Sequence, residues 1–283
     1  APTATRGDFS MEFDLTARFT GDEADLHRLP AYEGTNSLIG LSRSLVLINH
    51  YLITGTVRQR APFTDSIKIY IRPAREACFE TVFSFISEIG AISALGGAVA
   101  VNVSANLITD GVRTVLSRVT GRPTEPATDD LAEIENARPG DLEALVDAVE
   151  PAMRQGHTAI GQGSQNIIVI KGDNNVVTFN ARTKEYVNSE ILTDDDFIQD
   201  VSVGALNVNS GYGRVWFDDL GKTVPFKLDK EKTARTVGAL ARSLDGYANG
   251  EPSDVRVRFR KVKAGDGRIK KIIISDAEDL YEE

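Results

Sequence analysis

Apolar and polar positions alternate cleanly near the start of the chain, with Met11, Phe13, Leu15, Ala17 and Phe19 on one side and Glu12, Asp14, Thr16 and Arg18 on the other. A period of two is that of a strand with one face buried. From Thr35 to Thr54 the period lengthens: Leu38, Leu41, Leu45, Ile48 and Leu52 recur every three or four residues, and Ile39, Val46 and Ile53 widen the stripe. This predicts an amphipathic helix broad enough to cover a sheet. Ile67, Ile69 and Ile71 then alternate with Lys68, Tyr70 and Arg72 in a second strand that Pro73 ends, and Phe79 to Phe85 reads as a third.

From Ile89 to Thr109 twenty-one residues pass without a charge. A membrane-spanning helix needs about 20 mostly apolar residues, so the length suffices. The quality differs, because Ser93, Asn102, Ser104, Asn106 and Thr109 interrupt the run and Gly90, Gly96, Gly97 and Ala98 dilute it. Small residues of this kind let helices approach closely. The expectation is a protein-buried helix whose pattern runs on to Val119, with Gly90, Gly96, Gly97 and Ala98 as its packing residues and lipid contact as the alternative.

Gly121 to Thr128 reads as a linker, and Asp141 as the N-cap of a short helix carrying Leu142, Leu145, Val146 and Val149. After Gly156 strands dominate. Ile167–Ile170 and Val176–Phe179 flank the turn-forming Lys171-Gly-Asp-Asn-Asn175, and further strands are expected at Val201–Val208, Gly213–Phe217 and Thr223–Leu228. A helix from Lys230 to Ala248 buries Val237, Leu240, Ala241 and Leu244, and strands at Asp254–Val262 and Arg268–Ser275 close the chain. Three strands, a helix and two strands is the order of a small oligonucleotide-binding barrel, shared with several unrelated α+β folds. The predicted class is therefore α+β, with an N-terminal sheet-plus-helices domain over residues 1–120, an acidic linker and amphipathic helix over 121–160, and a β-rich, barrel-like module over 161–283.

The 283 residues are 41% apolar and 26% charged, which is globular composition, and the net charge of -9 is unevenly placed. Residues 125–150 hold nine acids against Arg138 alone, whereas residues 254–275 hold eight bases against Asp254 and Asp266. Arg256, Arg258 and Arg260 alternate with Val255, Val257 and Phe259, so the three guanidinium groups share one face of a strand, and Lys270 on the next strand is placed to join them. Such a face can meet phosphates through bidentate contacts or the acids of a protein neighbour. Few aromatic residues lie near it to stack on bases, and the solvated, acid-facing alternative is favoured.

Catalytic and cofactor signatures fail their context tests. Gly161-Gln-Gly163 precedes a strand instead of following one and lacks a third glycine. Ser42 lies within a predicted helix, not on a strand-to-helix elbow, and Cys78 has acids on both sides that would blunt a thiolate. His27, His50 and His157 share no metal-ligand spacing, and Asp194-Asp-Asp196 and Asp218-Asp219 lack the spacing of a calcium loop. No cofactor and no metal are expected. A single cysteine, and no apolar run between Ala1 and Ser10, point to a cytoplasmic protein, with membrane association as the alternative.

Arg72-Pro-Ala-Arg-Glu-Ala-Cys-Phe-Glu80 followed by the alanine- and glycine-rich run, Gly213–Phe226, and Val255–Lys261 resemble segments of uncharacterised bacterial proteins that join an N-terminal α+β domain to a β-rich C-terminal module. Where such proteins often have a Gly-Ser pair, this chain has Ala77-Cys78, and the resemblance brings no catalytic residues with it. The expectation is a non-enzymatic protein that self-associates or binds a protein partner, with Arg256, Arg258, Arg260 and Lys270 as a contact surface. Nucleic-acid binding by that face and membrane activity through residues 89–109 are the alternatives.

Overall fold

The computed structural model describes residues 11–72, 79–87, 103–231 and 233–281. In chain order the elements of the first half are β1 (Met11–Thr20), α1 (Ala31–Thr54), β2 (Lys68–Arg72), β3 (Phe79–Ser87), α2 (Ala105–Val119), α3 (Asp129–Ala137), α4 (Asp141–Gly156), β4 (Asn166–Lys171) and β5 (Asn174–Phe179). Those that follow are α5 (Ala181–Asn188), β6 (Ile191–Leu192), β7 (Phe197–Asn207), β8 (Tyr212–Phe217), β9 (Lys222–Leu228), α6 (Ala234–Asn249), β10 (Asp254–Lys263) and β11 (Ile269–Asp279). The fold is α+β, as the periodicities predict. The chain divides into two compact units, residues 1–134 with 145–184, and residues 135–144 with 185–283.

The first unit is built on a five-stranded antiparallel sheet in the order β2-β3-β1-β4-β5. The alternation from Met11 to Phe19 is realised as expected. Leu15, Ala17 and Phe19 are buried on one face, beside Phe83 and Phe85 of β3 and Ile167 and Val169 of β4. Helix α2 lies against β1 and β5, and α1 packs on α2. Gly40 of α1 sits so close to α4 that a Cβ there would stand 2.2 Å from the Gly156 nitrogen and 2.4 Å from the Ala152 carbonyl oxygen, so only glycine permits the crossing. Buried Asp110 of α2 accepts hydrogen bonds from the amides of Ala127 and Thr128 and from the Arg113 guanidinium, fixing the chain after α2.

Two expectations are corrected here. The helical pattern does not run unbroken from the uncharged segment to Val119: Val103 and Ser104 are not helical, and extended Ser104 caps a new helix by accepting the Leu107 amide at 3.1 Å. Asn and Ser side chains offer the backbone such local alternatives, which is why a helix starts where the small apolar run turns polar. The packing positions Gly90, Gly96, Gly97 and Ala98 lie outside the described residues. Second, β4 and β5, expected within a C-terminal module beginning at residue 161, instead extend the first sheet through the pairing of β4 with β1. The hairpin turn between them does form, with Gly172 at φ 57°. Among the described residues, no helix is long and apolar enough to cross a membrane.

In the second unit β7, β8 and β9 form a meander, α6 follows, and β10 and β11 close the sheet. The strand order is β11-β9-β8-β7-β10, and the further pairing of β10 with β11 makes a closed five-stranded barrel. Only β9 and β11 run parallel; the other pairs are antiparallel. This is the connectivity of an oligonucleotide-binding barrel. Its interior is filled by Val203, Val215, Phe226, Val257, Phe259, Ile272 and Ile274, with Leu240 of α6 beneath. Thr233 caps α6 by accepting the Thr236 amide, and Gly250 ends it in the left-handed region. Residues 135–144, expected in a linker, group with the barrel: Arg214 of β8 lies 3.5 Å from Glu135 and 3.4 Å from Glu143, and Asn207 donates to Asp141.

Candidate functional site

Strand β2 is the edge of the first sheet, paired only with β3 among the described residues. Its side chains alternate, placing Lys68, Tyr70 and Arg72 on one face and Ile69 and Ile71 on the other. Tyr70 is 48% exposed and Ile71 57%, the two large apolar side chains that an edge strand would ordinarily cover or replace. Arg72 is held by Glu12 of β1 at 2.5 Å.

Beside this edge α1 and the loop entering β2 border an open pocket of about 300 Å³, lined by Val46, Asn49, Thr64, Asp65 and the residues from Ile67 to Tyr70. Asn49 and His50 hold its walls in place. The Asn49 Nδ2 donates to the Ile67 carbonyl at 3.1 Å, tying α1 to the start of β2. The Thr64 amide donates to His50 Nδ1 at 2.9 Å, so the ring proton sits on Nε2, which faces Thr54 Oγ1 at 3.3 Å. Burial, with Arg58 adding to it, holds the His50 pKa below the ordinary imidazole value, keeping Nδ1 a free acceptor for that amide. The Asn49 Oδ1 is buried without a hydrogen-bond partner.

Sequence reasoning places Tyr70 and the helix of Asn49 correctly but misses both as a site. The available signal was a run of polar residues inside an apolar stripe: Ser37, Ser44, Asn49 and His50 are all buried in α1. Ser37 accepts the Ala159 amide and Ser44 donates to the Gly40 carbonyl, whereas the Asn49 oxygen is buried unpaired.

On the barrel, Arg256 and Arg258 are exposed on β10 and Arg260 is partly so, in the expected alternation with buried Val255, Val257 and Phe259. Acids meet two of the three. Arg256 makes a bidentate pair with Asp200 of β7 at 2.8 and 2.9 Å, which lowers the Asp200 pKa and raises that of Arg256. Arg260 stands 3.8 Å from Asp229. Arg258 lies opposite Asp276 and Ile198 in the pairing. Lys270 does not join the arginines in an open ladder: its ammonium donates to the carbonyls of Tyr186 and Ser189, at the C-terminal end of α5 where a cation is favoured, and lies 5.0 Å from the Tyr186 ring centre.

No three histidine, cysteine or acidic side chains among the described residues converge as a metal site would require. His157 is fully buried among Met153, Thr183 and Phe179, and exposed His27 lies in a turn. Cys78 is outside the described residues.

The model of a family described as "Domain of unknown function (DUF7946)" matches residues 15–188, more than half of the chain. The chain belongs to that family. Residues 198–278, the barrel, match a second model, "Family of unknown function (DUF7947)". No curated protein and no solved structure matches the chain. The two matched segments meet close to the change from five-stranded sheet to barrel, between β5 and β7.

Proposed function

We propose that this DUF7946 protein is a non-enzymatic partner-binding protein that accepts an extended segment of another protein as an added strand at the edge of β2. The observation that carries this reading is the edge itself, which among the described residues pairs only with β3, with Tyr70 and Ile71 exposed and a pocket between it and α1. In strand addition the main chain supplies affinity, while pockets beside the edge select alternate side chains.

Charge favours a different protein over a second copy. If two β2 strands paired antiparallel about Tyr70, Lys68 of each would stand opposite Arg72 of the other, and like charges directly opposed are destabilising. An apolar segment flanked by acids meets the same residues favourably. In this reading the basic strand face is a secondary contact, with Arg258 its most available cation; the rival nucleic-acid reading uses the same face and differs in demanding salt-sensitive retention on DNA or RNA that Arg258→Ala weakens.

The test is selection of linear peptides on the full chain, followed by affinity measurement on Ile71→Lys. Because Ile71 is largely exposed, this change should leave folding intact while placing a charge beside the added strand. The expected result is peptides rich in alternating apolar and acidic residues whose affinity falls at least about tenfold in the variant, equivalent to about 1.4 kcal/mol. Peptides that bind both proteins equally would place the contact elsewhere, and a stable dimer abolished by Ile71→Lys would replace the partner with a second copy.

A further inference from the structure

We infer that the segment added at β2 runs antiparallel to it and carries acidic side chains just C-terminal to its apolar residues, where Arg43, Arg58, Arg60 and Lys68 receive them. The inference rests on strand addition at β2 and specifies the direction and the charge of the added segment.

Residues 43–72 hold five bases, Arg43, Arg58, Arg60, Lys68 and Arg72, against Asp65 alone, in a chain whose net charge is -9. All five cations are exposed. They differ in what already meets them. Arg72, at the C-terminal end of β2, is held by Glu12 at 2.5 Å. The other four make no ion pair among the described residues. The Arg43 guanidinium donates to the Gln59 carbonyl at 3.0 Å and Arg58 to the Pro62 carbonyl at 3.4 Å, so both stand at the loop that joins α1 to β2. The Thr64 amide, bonded to His50 Nδ1, draws the end of that loop back onto α1. Val46, one helical turn beyond Arg43, lines the pocket beside β2 together with Thr64, Asp65 and Lys68. Positive charge is therefore gathered at the N-terminal end of β2, while the single cation at its C-terminal end is already neutralised.

Direction follows from the sheet. Every pairing in it is antiparallel, and a further strand is favoured in the same sense because antiparallel ladders are slightly more stable per residue. The N-terminal part of such a strand lies beside Ile71 and Arg72, and its C-terminal end runs out past Lys68 toward the arginine loop. Carboxylates at that end meet cations with no acid of their own, whereas carboxylates at the other end meet only Arg72. A nucleic acid is disfavoured as the anion, since a chain of net charge -9 repels a polyanion at long range. The acid-rich residues 125–150 of a second copy are largely folded into α3 and α4 and do not supply an extended strand.

The experiment selects linear peptides on the full chain and compares their affinity for the unaltered protein, for Ile71→Lys and for the double variant Arg58→Gln, Arg60→Gln. Both arginines are exposed, so the double variant should keep the fold. Selected peptides should carry their aspartates and glutamates C-terminal to the apolar core. Moving those acids to the N-terminal side should weaken binding to the unaltered protein about fivefold, the scale of two or three exposed ion pairs, and the double variant should lose about as much with the original peptide. Peptides with asparagine and glutamine in place of the acids should bind the double variant and the unaltered protein alike. Acids spread equally on both sides, tighter binding of the rearranged peptide, or unchanged affinity in the double variant would overturn the inference. Peptides lost in Ile71→Lys but indifferent to the arginines refute it and leave strand addition standing. Peptides that need the arginines yet bind Ile71→Lys normally refute strand addition and leave an acidic-peptide site on the loop. Displacement of the peptides by a short single-stranded RNA at low concentration would replace the acidic segment with a polyanion.

Discussion

Acid should destabilise the first unit through His157, over a pH range set by that ring. The side chain is fully buried; Nδ1 donates to the Met153 carbonyl at 2.7 Å, Nε2 faces Thr183 Oγ1 at 3.0 Å, and the Phe179 ring packs edge-on at 5.0 Å. Removal from water lowers its pKa, the Lys184 charge adds to this, and the Met153 carbonyl only partly opposes it, leaving a pKa of about 4 against 6.5 for the free side chain. The folded state therefore refuses a proton that the unfolded chain takes up. Stability from this ring is complete above pH 6.5 and is lost as pH falls toward 4.

At 1.36 kcal/mol per tenfold difference in proton affinity, the loss between pH 8 and pH 4.5 is about 2.5 kcal/mol, a large part of the stability of an ordinary domain. His157→Asn keeps a neutral donor and removes the titration. Urea unfolding across this range should show the wild type losing about that much more stability than the variant, whatever the variant's own stability at pH 8. His50 is also lowered, but it is present in both proteins and cancels in the comparison. Parallel curves for the two proteins would refute the argument, because they would mean that His157 is either solvated or already protonated in the folded state.

Two further substitutions probe packing and buried polarity. Gly40→Val should cost about 3 kcal/mol or more in urea unfolding, since even a Cβ would stand within 2.4 Å of α4 backbone atoms that can move only with the helix; a cost below about 1 kcal/mol would mean that α1 and α4 do not cross here. Asp110→Ala should cost about 3 kcal/mol, because it strips an acceptor from the Ala127 and Thr128 amides and from Arg113, and proteolysis within residues 122–128 should accelerate in parallel; an unchanged cleavage rate would show that the acid does not hold that segment.

The local pattern of the chain marks most of the strands and the longer helices, while the short α3, α5 and β6 pass without a signal. Alternation at Met11–Phe19 and at Ile67–Ile71, the stripe from Leu38 to Leu52 and the order of elements after Val201 all reappear in the fold, because these periods record which side chains face an apolar interior. The capping serine at Ser104 was also on view, and only the length of the apolar run obscured it. Partnership between distant segments is a different matter. The continuous apolar run Ile167–Ile170 suits either sheet equally well, and its pairing with β1, about 150 residues earlier, was settled by which edge offered a complementary buried face. Arg256, Arg258 and Arg260 share a strand face by spacing alone, but that Asp200 would grip Arg256 depends on β7 lying alongside β10 in register. The same holds beside β2. Asn49 stands in the sequence among several polar residues of an apolar stripe, and its tie to the start of β2 exists only because the Ile67 carbonyl, eighteen residues on, arrives to take the amide nitrogen.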